Sequence, residues 1–303
     1  MKNEVFKDIP SFKKWKSVTQ INKGWSSDTK YHIVDIDNNE FVLRVSDVKL
    51  LKQKEQEYHI VKLLSELDIP MSMPIDFGIC NNGGNVYSLL TYIEGDQAEL
   101  LLSNYSNDEQ YQMGLKMGMA LKRIHSIDFT YDNNWEETYT KKIHSRIKNY
   151  HDCPIKSDKI DEVIAFVLKH LYLLKERPIC LSHGDFHSGN MIITPKGDIS
   201  IIDFNRVKYG DPYYEYNRLY FSYRISPIFA KGQIDGYFNH NIPDDFFLYF
   251  KFYILSVIIG NIAWASGFGD EDVRFALKSI DEIYEDYDGL NATLPKWYKS
   301  INH

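Results

Sequence analysis

Cysteine is scarce: Cys80, Cys153 and Cys180 are the only three in 303 residues. Their odd number and wide spacing offer neither a disulfide framework nor a CxxC metal site, and they fit a reducing compartment. Residues Met1 to Asp8 lack the apolar core of a signal peptide, so the chain is expected to stay in the cytoplasm. Phe252 to Phe268 lacks charge, but it is short for a bilayer span and contains Ser256, Gly260, Asn261, Ser266 and Gly267, which reads as a buried helix and not as membrane. Internal repeats and low-complexity linkers are missing too. Positive charge is in deficit, with 35 basic against 42 acidic side chains and a net charge of -7. That balance argues weakly against a nucleic-acid partner and would suit a cationic one, although a solvated acidic surface is the better account of it. Hydrophobic residues, at 44%, suffice for one large core or two modest ones.

The first ninety or so residues read as β-rich. Tyr31–Ile36 and Phe41–Val45 flank Asp37-Asn38-Asn39-Glu40, which is turn chemistry for a hairpin. Ile60, Leu63, Leu64 and Leu67 then recur at helical spacing until Pro70. Val86–Ile93 reads as a buried strand closed by Glu94-Gly95. The composition turns helical there, which sets an expected boundary between residues 1–94 and 95–303. Ser106 and Glu109 form a capping-box pattern ahead of Met113, Met117, Ala120, Leu121 and Ile124, a helical face ending at His125. A second helix is predicted through Ile160, Val163, Ile164, Val167, Leu168, Leu171 and Leu174, and two more over 244–264 and 270–288.

The richest segment is Leu181-Ser182-His183-Gly184-Asp185-Phe186-His187-Ser188-Gly189-Asn190-Met191-Ile192-Ile193, followed by Ile199-Ser200-Ile201-Ile202-Asp203-Phe204. Apolar alternation on either side of Lys196-Gly197 predicts a hairpin whose ends present Asp185, Asn190 and Asp203 together. Phosphoryl transfer uses such a set: one carboxylate to take the hydroxyl proton, and an amide with a second carboxylate to hold Mg²⁺ on the phosphates. Four residues separate Asp185 from Asn190, as in the protein-kinase pattern H-R-D-x-x-x-x-N, and Asp203-Phe204 stands where D-F-G begins. His183 and His187 lie four apart, as zinc ligands on a helix do, but Gly184 follows where such a motif has Glu and no helix is expected.

These residues resemble the aminoglycoside phosphotransferase family, whose pattern also matches Ile124-His125-Ser126 and Gly210-Asp211-Pro212 and so covers most of the chain. The resemblance implies an α+β, two-lobed, protein-kinase-like fold with a β-rich N-terminal nucleotide-binding lobe and a mainly helical C-terminal catalytic and acceptor-binding lobe. It implies Asp185 as the catalytic carboxylate, Asn190 and Asp203 as Mg²⁺ ligands, and His183 as a prop for their loop. The nucleotide base is expected against Tyr92 and Ile93. Arg44 occupies the position where the family usually carries a phosphate-binding lysine, and it keeps the charge with a forked geometry. Glu57, in better phase than Glu55, is expected to pair with Arg44; Lys30, Lys49 and Lys52 are alternative cations. Gly24–Asp28 precedes Arg44 and could cover phosphates, with Ser26 and Ser27 as added donors, though alone it reads as a hairpin turn. Asn205-Arg206 stands where protein kinases have glycine, which implies a fixed segment without a regulatory flip.

The activity implied is transfer of the γ-phosphate of ATP or GTP to a hydroxyl of a small, cationic acceptor, foremost an aminoglycoside. A metabolic kinase acting on choline, homoserine, a sugar or a glycated amine has the same motif, and a non-catalytic nucleotide-binding module is the third reading. Residues 265–303 hold eight acids, Asp270 and Glu271 among them, which would attract ammonium groups, as would Glu215; acidic helix faces ordinarily meet only solvent. Trp264, Trp297 and Tyr298 could stack on sugar rings, but at helical spacing they read as core.

Overall fold

The computed structural model describes residues 5–22, 28–128 and 134–301. Two compact units divide them: one of residues 1–101 with 190–207, the other of 102–189 with 208–303.

In the first unit, β-branched and aromatic residues alternating with polar ones build a five-stranded antiparallel sheet. Its strands are β1 (Trp15–Ile21), β2 (Thr29–Asp35), β3 (Glu40–Asp47), β4 (Pro74–Cys80) and β5 (Asn85–Thr91), in the order β1-β2-β3-β5-β4. The expected hairpin is β2–β3, and its turn places Asn38 at φ 62° while Asp35 accepts from the Asp37 and Asn39 amides. One face buries Ile33, Leu43, Val45 and Leu89 under Phe6 and Ile9. Against the sheet packs α1 (Leu51–Leu64), with Tyr58 stacked on Phe77 at 5.1 Å. β6 (Asp96–Gln97) and α2 (Ala98–Leu101) extend the unit past the boundary expected at residue 94. Backbone pairing explains the difference. β8 (Met191–Ile193) pairs with β6 and with β9 (Ile199–Ile201), and Ile201 N donates to Pro70 O at 2.8 Å, so residues 190–207 belong with the first unit.

The second unit is mainly helical. α3 (Asn107–His125) starts at the expected capping box, where Ser106 Oγ accepts from Glu109 N and the Glu109 carboxylate accepts from Ser106 N. α4 (Trp135–Asp152) and α5 (Asp158–Lys169) follow, then α6 (Leu219–Tyr223), α7 (Pro227–Phe238), α8 (Phe246–Ile258), α9 (Asn261–Ala265), α10 (Asp270–Asp286) and α11 (Lys296–Ile301). β7 (Cys180–Ser182) pairs antiparallel with β10 (Lys208–Gly210). α3 and α7 approach to backbone contact: a Cβ on Gly118 would lie 2.2 Å from Gln233 O, and one on Gly236 would lie 2.2 Å from Leu115 O. Larger residues there would push the helices apart.

The apolar stretch Phe246–Ala265 is long enough to cross a membrane by length and composition, yet most of its apolar window, 61%, is buried in the protein. Phe246, Phe250, Tyr253 and Leu255 are core residues of α8, and Ile259-Gly260 interrupts the run before α9. Cys80, Cys153 and Cys180 are unpaired and buried.

Candidate active site

Two clusters of charged side chains carry the expected site residues, one in each unit. In the first, Gly197 at φ 81° turns the β8–β9 hairpin, Met191 pairs with Ile201, and Ile202 N donates to Asn190 O at 3.0 Å. Asn190 and Asp203 therefore leave the same end of one hairpin. Asp203 is left-handed, at φ 67° and ψ 58°, a conformation that Asp tolerates better than bulkier residues.

Its carboxylate faces two cations. Arg44 Nη1 lies 2.7 Å from Oδ1 and Lys30 Nζ lies 3.5 Å from Oδ2. Arg44 on β3 and Lys30 on β2 are direct cross-strand partners, so antiparallel register alone brings them side by side. Like charges so placed repel, and acid must compensate. Asp203 is one such acid and Asp28 is the other: Arg44 Nη2 and Nε reach Asp28 Oδ2 at 2.9 and 3.0 Å. The Asp28 carboxylate, 1% exposed, also accepts from Ser46 Oγ at 2.6 Å and pairs with Lys54 Nζ at 3.0 Å. Burial pulls its pKa up, but Arg44, Ser46 and Lys54 outweigh burial and hold it at about 2.

The expected Arg44–Glu57 pair is not formed. Glu57 is bonded to Lys54 Nζ and Gln53 Nε2, both at 2.8 Å, so Asp28 and Lys54 stand between Arg44 and the helix carboxylate. The guanidinium fork explains this, because it takes a carboxylate on each edge where an ammonium would make one point contact. Lys49, Lys52 and Glu55 are exposed. Tyr92 N donates to Glu40 O at 3.0 Å and its ring lies 4.3 Å from His32, while Ile93 is half-buried beside it. Ser26 and Ser27, expected over the phosphates, lie outside the described residues.

The second cluster is built on the turn after β7. Gly184, at φ 85°, bends the chain so that its own N–H and that of Phe186 both point at Glu215, at 3.0 and 3.3 Å. Glu215 corrects the expectation that placed it among acceptor-binding groups: it is 2% exposed and engaged by backbone donors. Burial pushes its carboxyl up in pKa, yet His125, 4.0 Å away, together with His183 and Lys208, brings it down to about 2. His183 is buried and its Nδ1 accepts from Asp185 N at 3.3 Å. His187 Nδ1 accepts from Gly189 N at 3.1 Å, which leaves the ring proton on Nε2, 3.7 Å from Asp185 Oδ1. Asp185 Oδ1 also meets Arg218 Nε at 3.1 Å. Asp211 ties its own loop: Arg177 forks onto it, Tyr253 OH donates at 2.6 Å, and Tyr213 N donates at 2.7 Å.

Asp270 and Glu271 occupy the exposed first turn of α10, where negative charge faces the free N–H groups of a helix start. Trp264 is 61% exposed and rests on Phe268, whereas Trp297 and Tyr298 are core. Sequence reasoning passed over Asp28, Lys54 and Arg218. Asp28 read as the end of a polar loop, Arg218 carries no motif of its own, and no local spacing links either to its partner.

The model of the APH phosphotransferase enzyme family matches residues 17–247, and the chain belongs to that family. Solved structures share the α+β, protein-kinase-like fold at low identity. A GDP complex of an aminoglycoside 2′-phosphotransferase is similar at TM-score 0.72 and 13% identity, with 96% of this chain and 98% of that chain covered. Aminoglycoside phosphotransferase APH(4)-Ia gives 0.64 and 19%, covering 91% and 96%. The amicoumacin kinase hAmiN, in complex with AMP-PNP, Ca²⁺ and Ami, gives 0.63 and 14%, covering 92% and 90%. No curated protein matches the chain in sequence.

Proposed function

We propose that the protein transfers the γ-phosphoryl group of ATP or GTP to a hydroxyl of a small molecule, with an aminoglycoside as the leading acceptor class. The observation that carries this reading is the pairing of Asp203 with Arg44 and Lys30 at the hairpin end shared with Asn190. Two cations beside an amide and a carboxylate make a place for phosphate oxygens and a hard cation together.

Asn190 and Asp203 fit Mg²⁺, since oxygen donors from one carboxylate and one amide leave further positions for water and phosphates. When bound, the ion would neutralise phosphate charge. Arg44 and Lys30 would exchange Asp203 for the phosphates, with Arg44 still anchored by Asp28. Ser26 and Ser27 would add donors over the phosphates, and Tyr92 and Ile93 would flank the base.

Asp185 would accept the acceptor's hydroxyl proton as that oxygen forms its bond to the γ-phosphorus and the bond to the β–γ bridging oxygen breaks, releasing ADP or GDP. Asp270 and Glu271 would attract a cationic acceptor from solvent. Neither nucleic acid nor a membrane enters this reading, and the cytoplasm supplies the nucleotide. Asp185→Ala is expected to bind nucleotide normally and lose transfer; unchanged turnover would overturn the assignment. A screen with both nucleotides against aminoglycosides, macrolides and metabolic alcohols, read by phosphate on the product, separates the aminoglycoside reading from a metabolic kinase.

A further inference from the structure

Asp185 does not stand alone in its unit. Arg218, just before α6, directs Nε to Asp185 Oδ1 at 3.1 Å, and its guanidinium lies over the Phe221 ring with 5.9 Å to the centroid. Phe221 is three residues on, one helical turn away, so the arginine and its shelf share a face. The His187 ring, 5.2 Å from Phe221, closes the other side and points Nε2 at the same carboxylate oxygen. Phe275 of α10 lies parallel to Phe221, at 5° and 6.4 Å, and backs the shelf. The guanidinium is thus confined between a charged partner and an aromatic face, with 27% of the side chain exposed. A surface arginine paired by chance would not have the second contact.

We propose that Arg218 is a positioning residue for phosphoryl transfer: its guanidinium, lying over Phe221 and directing Nε to Oδ1, fixes the Asp185 carboxylate in the orientation from which it receives the acceptor's proton. The inference rests on the reading of Asp185 given above. Arg218 is far in sequence from His183–Asn190, and it reaches the carboxylate from a segment that Glu215, three residues earlier, ties to the Gly184 and Phe186 amides. One short segment therefore supports the loop from beneath through Glu215 and its carboxylate from the side through Arg218. A carboxylate free to rotate loses near-attack geometry and with it rate, while nucleotide affinity is untouched.

The test uses the full-length protein and two reactions, acceptor-free hydrolysis of Mg-ATP, in which water takes the phosphoryl group, and transfer to any acceptor that the screen identifies. Arg218→Ala is expected to lower kcat at least about tenfold while the KM for ATP stays within about twofold. Added guanidinium chloride at tens of millimolar should restore part of the lost kcat, and equal sodium chloride should not. Phe221→Leu leaves the cation but removes the shelf, and should give a smaller loss of the same kind.

Arg218→Ala turnover within twofold of the wild type, or an ATP KM that rises in step with the fall in kcat, would overturn the inference. So would loss that neither guanidinium nor Arg218→Lys relieves, since that marks a merely structural side chain. A wild type without hydrolysis or transfer overturns the reading of the site itself and this inference with it. An active wild type with an indifferent Arg218→Ala overturns this inference alone.

Discussion

Each unit contains one buried carboxylate held at about 2 in pKa, and the two are used differently. Asp28 is gripped by side chains, Arg44, Lys54 and Ser46, and passes its support to Asp203 through the Arg44 fork. Glu215 owes its low pKa to His125, His183 and Lys208, but it also takes the main-chain amides of Gly184 and Phe186 and so supports the loop that carries Asp185. Side-chain ion pairs can be exchanged one at a time, so Arg44 can release Asp203 for another anion and keep Asp28. Backbone hydrogen bonds fix the path of the chain itself. The difference suits what each unit is proposed to do: one receives and releases a phosphate group, and the other keeps a carboxylate in one place.

The most severe way to break the comparison is Glu215→Ala. It strands two buried backbone donors, and removing a buried charged acceptor costs about 3 kcal/mol, so denaturant unfolding should show a loss of that order. Turnover should fall about 100-fold or more because the Asp185 loop loses its anchor. If the variant keeps full activity and stability, the main-chain brace is not what holds the loop.

Acid separates the two carboxylates next. Glu215 titrates at about 2 in the folded protein against a reference of 4.5, so the native state binds fewer protons between those values. Stability from this group is complete above pH 4.5 and is lost as pH falls towards 2, about 3 kcal/mol in all. Asp28 has the same sign, with its window opening only at 3.8. Between pH 4.5 and 3.8 the larger share of the loss attributable to this pair therefore belongs to Glu215. Glu215→Gln should flatten most of that stretch of the stability profile and Asp28→Asn only a smaller part of it, as urea unfolding at stepped pH would record.

Much of this fold is legible from local pattern, and the illegible parts share a cause. The Ser106–Glu109 box and the Lys196-Gly197 turn are relations within a few residues, and each appears as expected. α4 went unread because its buried positions, Trp135, Tyr139, Ile143 and Tyr150, are mostly polar-tipped aromatics among charged neighbours, so no aliphatic stripe marks it. α7 was hidden by Gly232 and Gly236, which weaken helix propensity but permit its contact with α3. In the candidate site the carboxylates that matter most for support, Asp28 and Glu215, are recognised only through partners from other elements. Arg44 and Asp203 are 159 residues apart. Family resemblance implied the reacting groups now proposed, and it expected Glu57 beside Arg44 where Asp28 and Lys54 stand.

Asp28→Asn sharpens the N-terminal half of the comparison. The side chain keeps its size and its bond to Ser46, but Arg44 and Lys54 lose their shared anion, and the guanidinium is drawn wholly to Asp203. A nucleotide must then compete with Asp203 for an arginine that Asp28 no longer holds as an ion pair. The KM for ATP should rise about tenfold with kcat changed less, the reverse of the Arg218→Ala pattern. Equal effects on both constants would mean that the two braces are not divided by function.

Arg44→Lys is the mildest change and bears most directly on why an arginine stands there. The ammonium keeps the charge but offers one point where the guanidinium offers two edges, so it can serve Asp28 or Asp203 and not both. With Lys54 already on Asp28 and Lys30 already near Asp203, either choice leaves the other carboxylate with a cation. The loss should therefore be partial: about a threefold rise in the KM for ATP and stability within about 1 kcal/mol of the wild type. Lys54→Met in the same background removes the reserve cation from Asp28, and the combined loss should exceed the sum of the single losses. Strict additivity would show that Arg44 and Lys54 act independently, and that the chain from Glu57 through Lys54, Asp28 and Arg44 to Asp203 is a row of separate pairs.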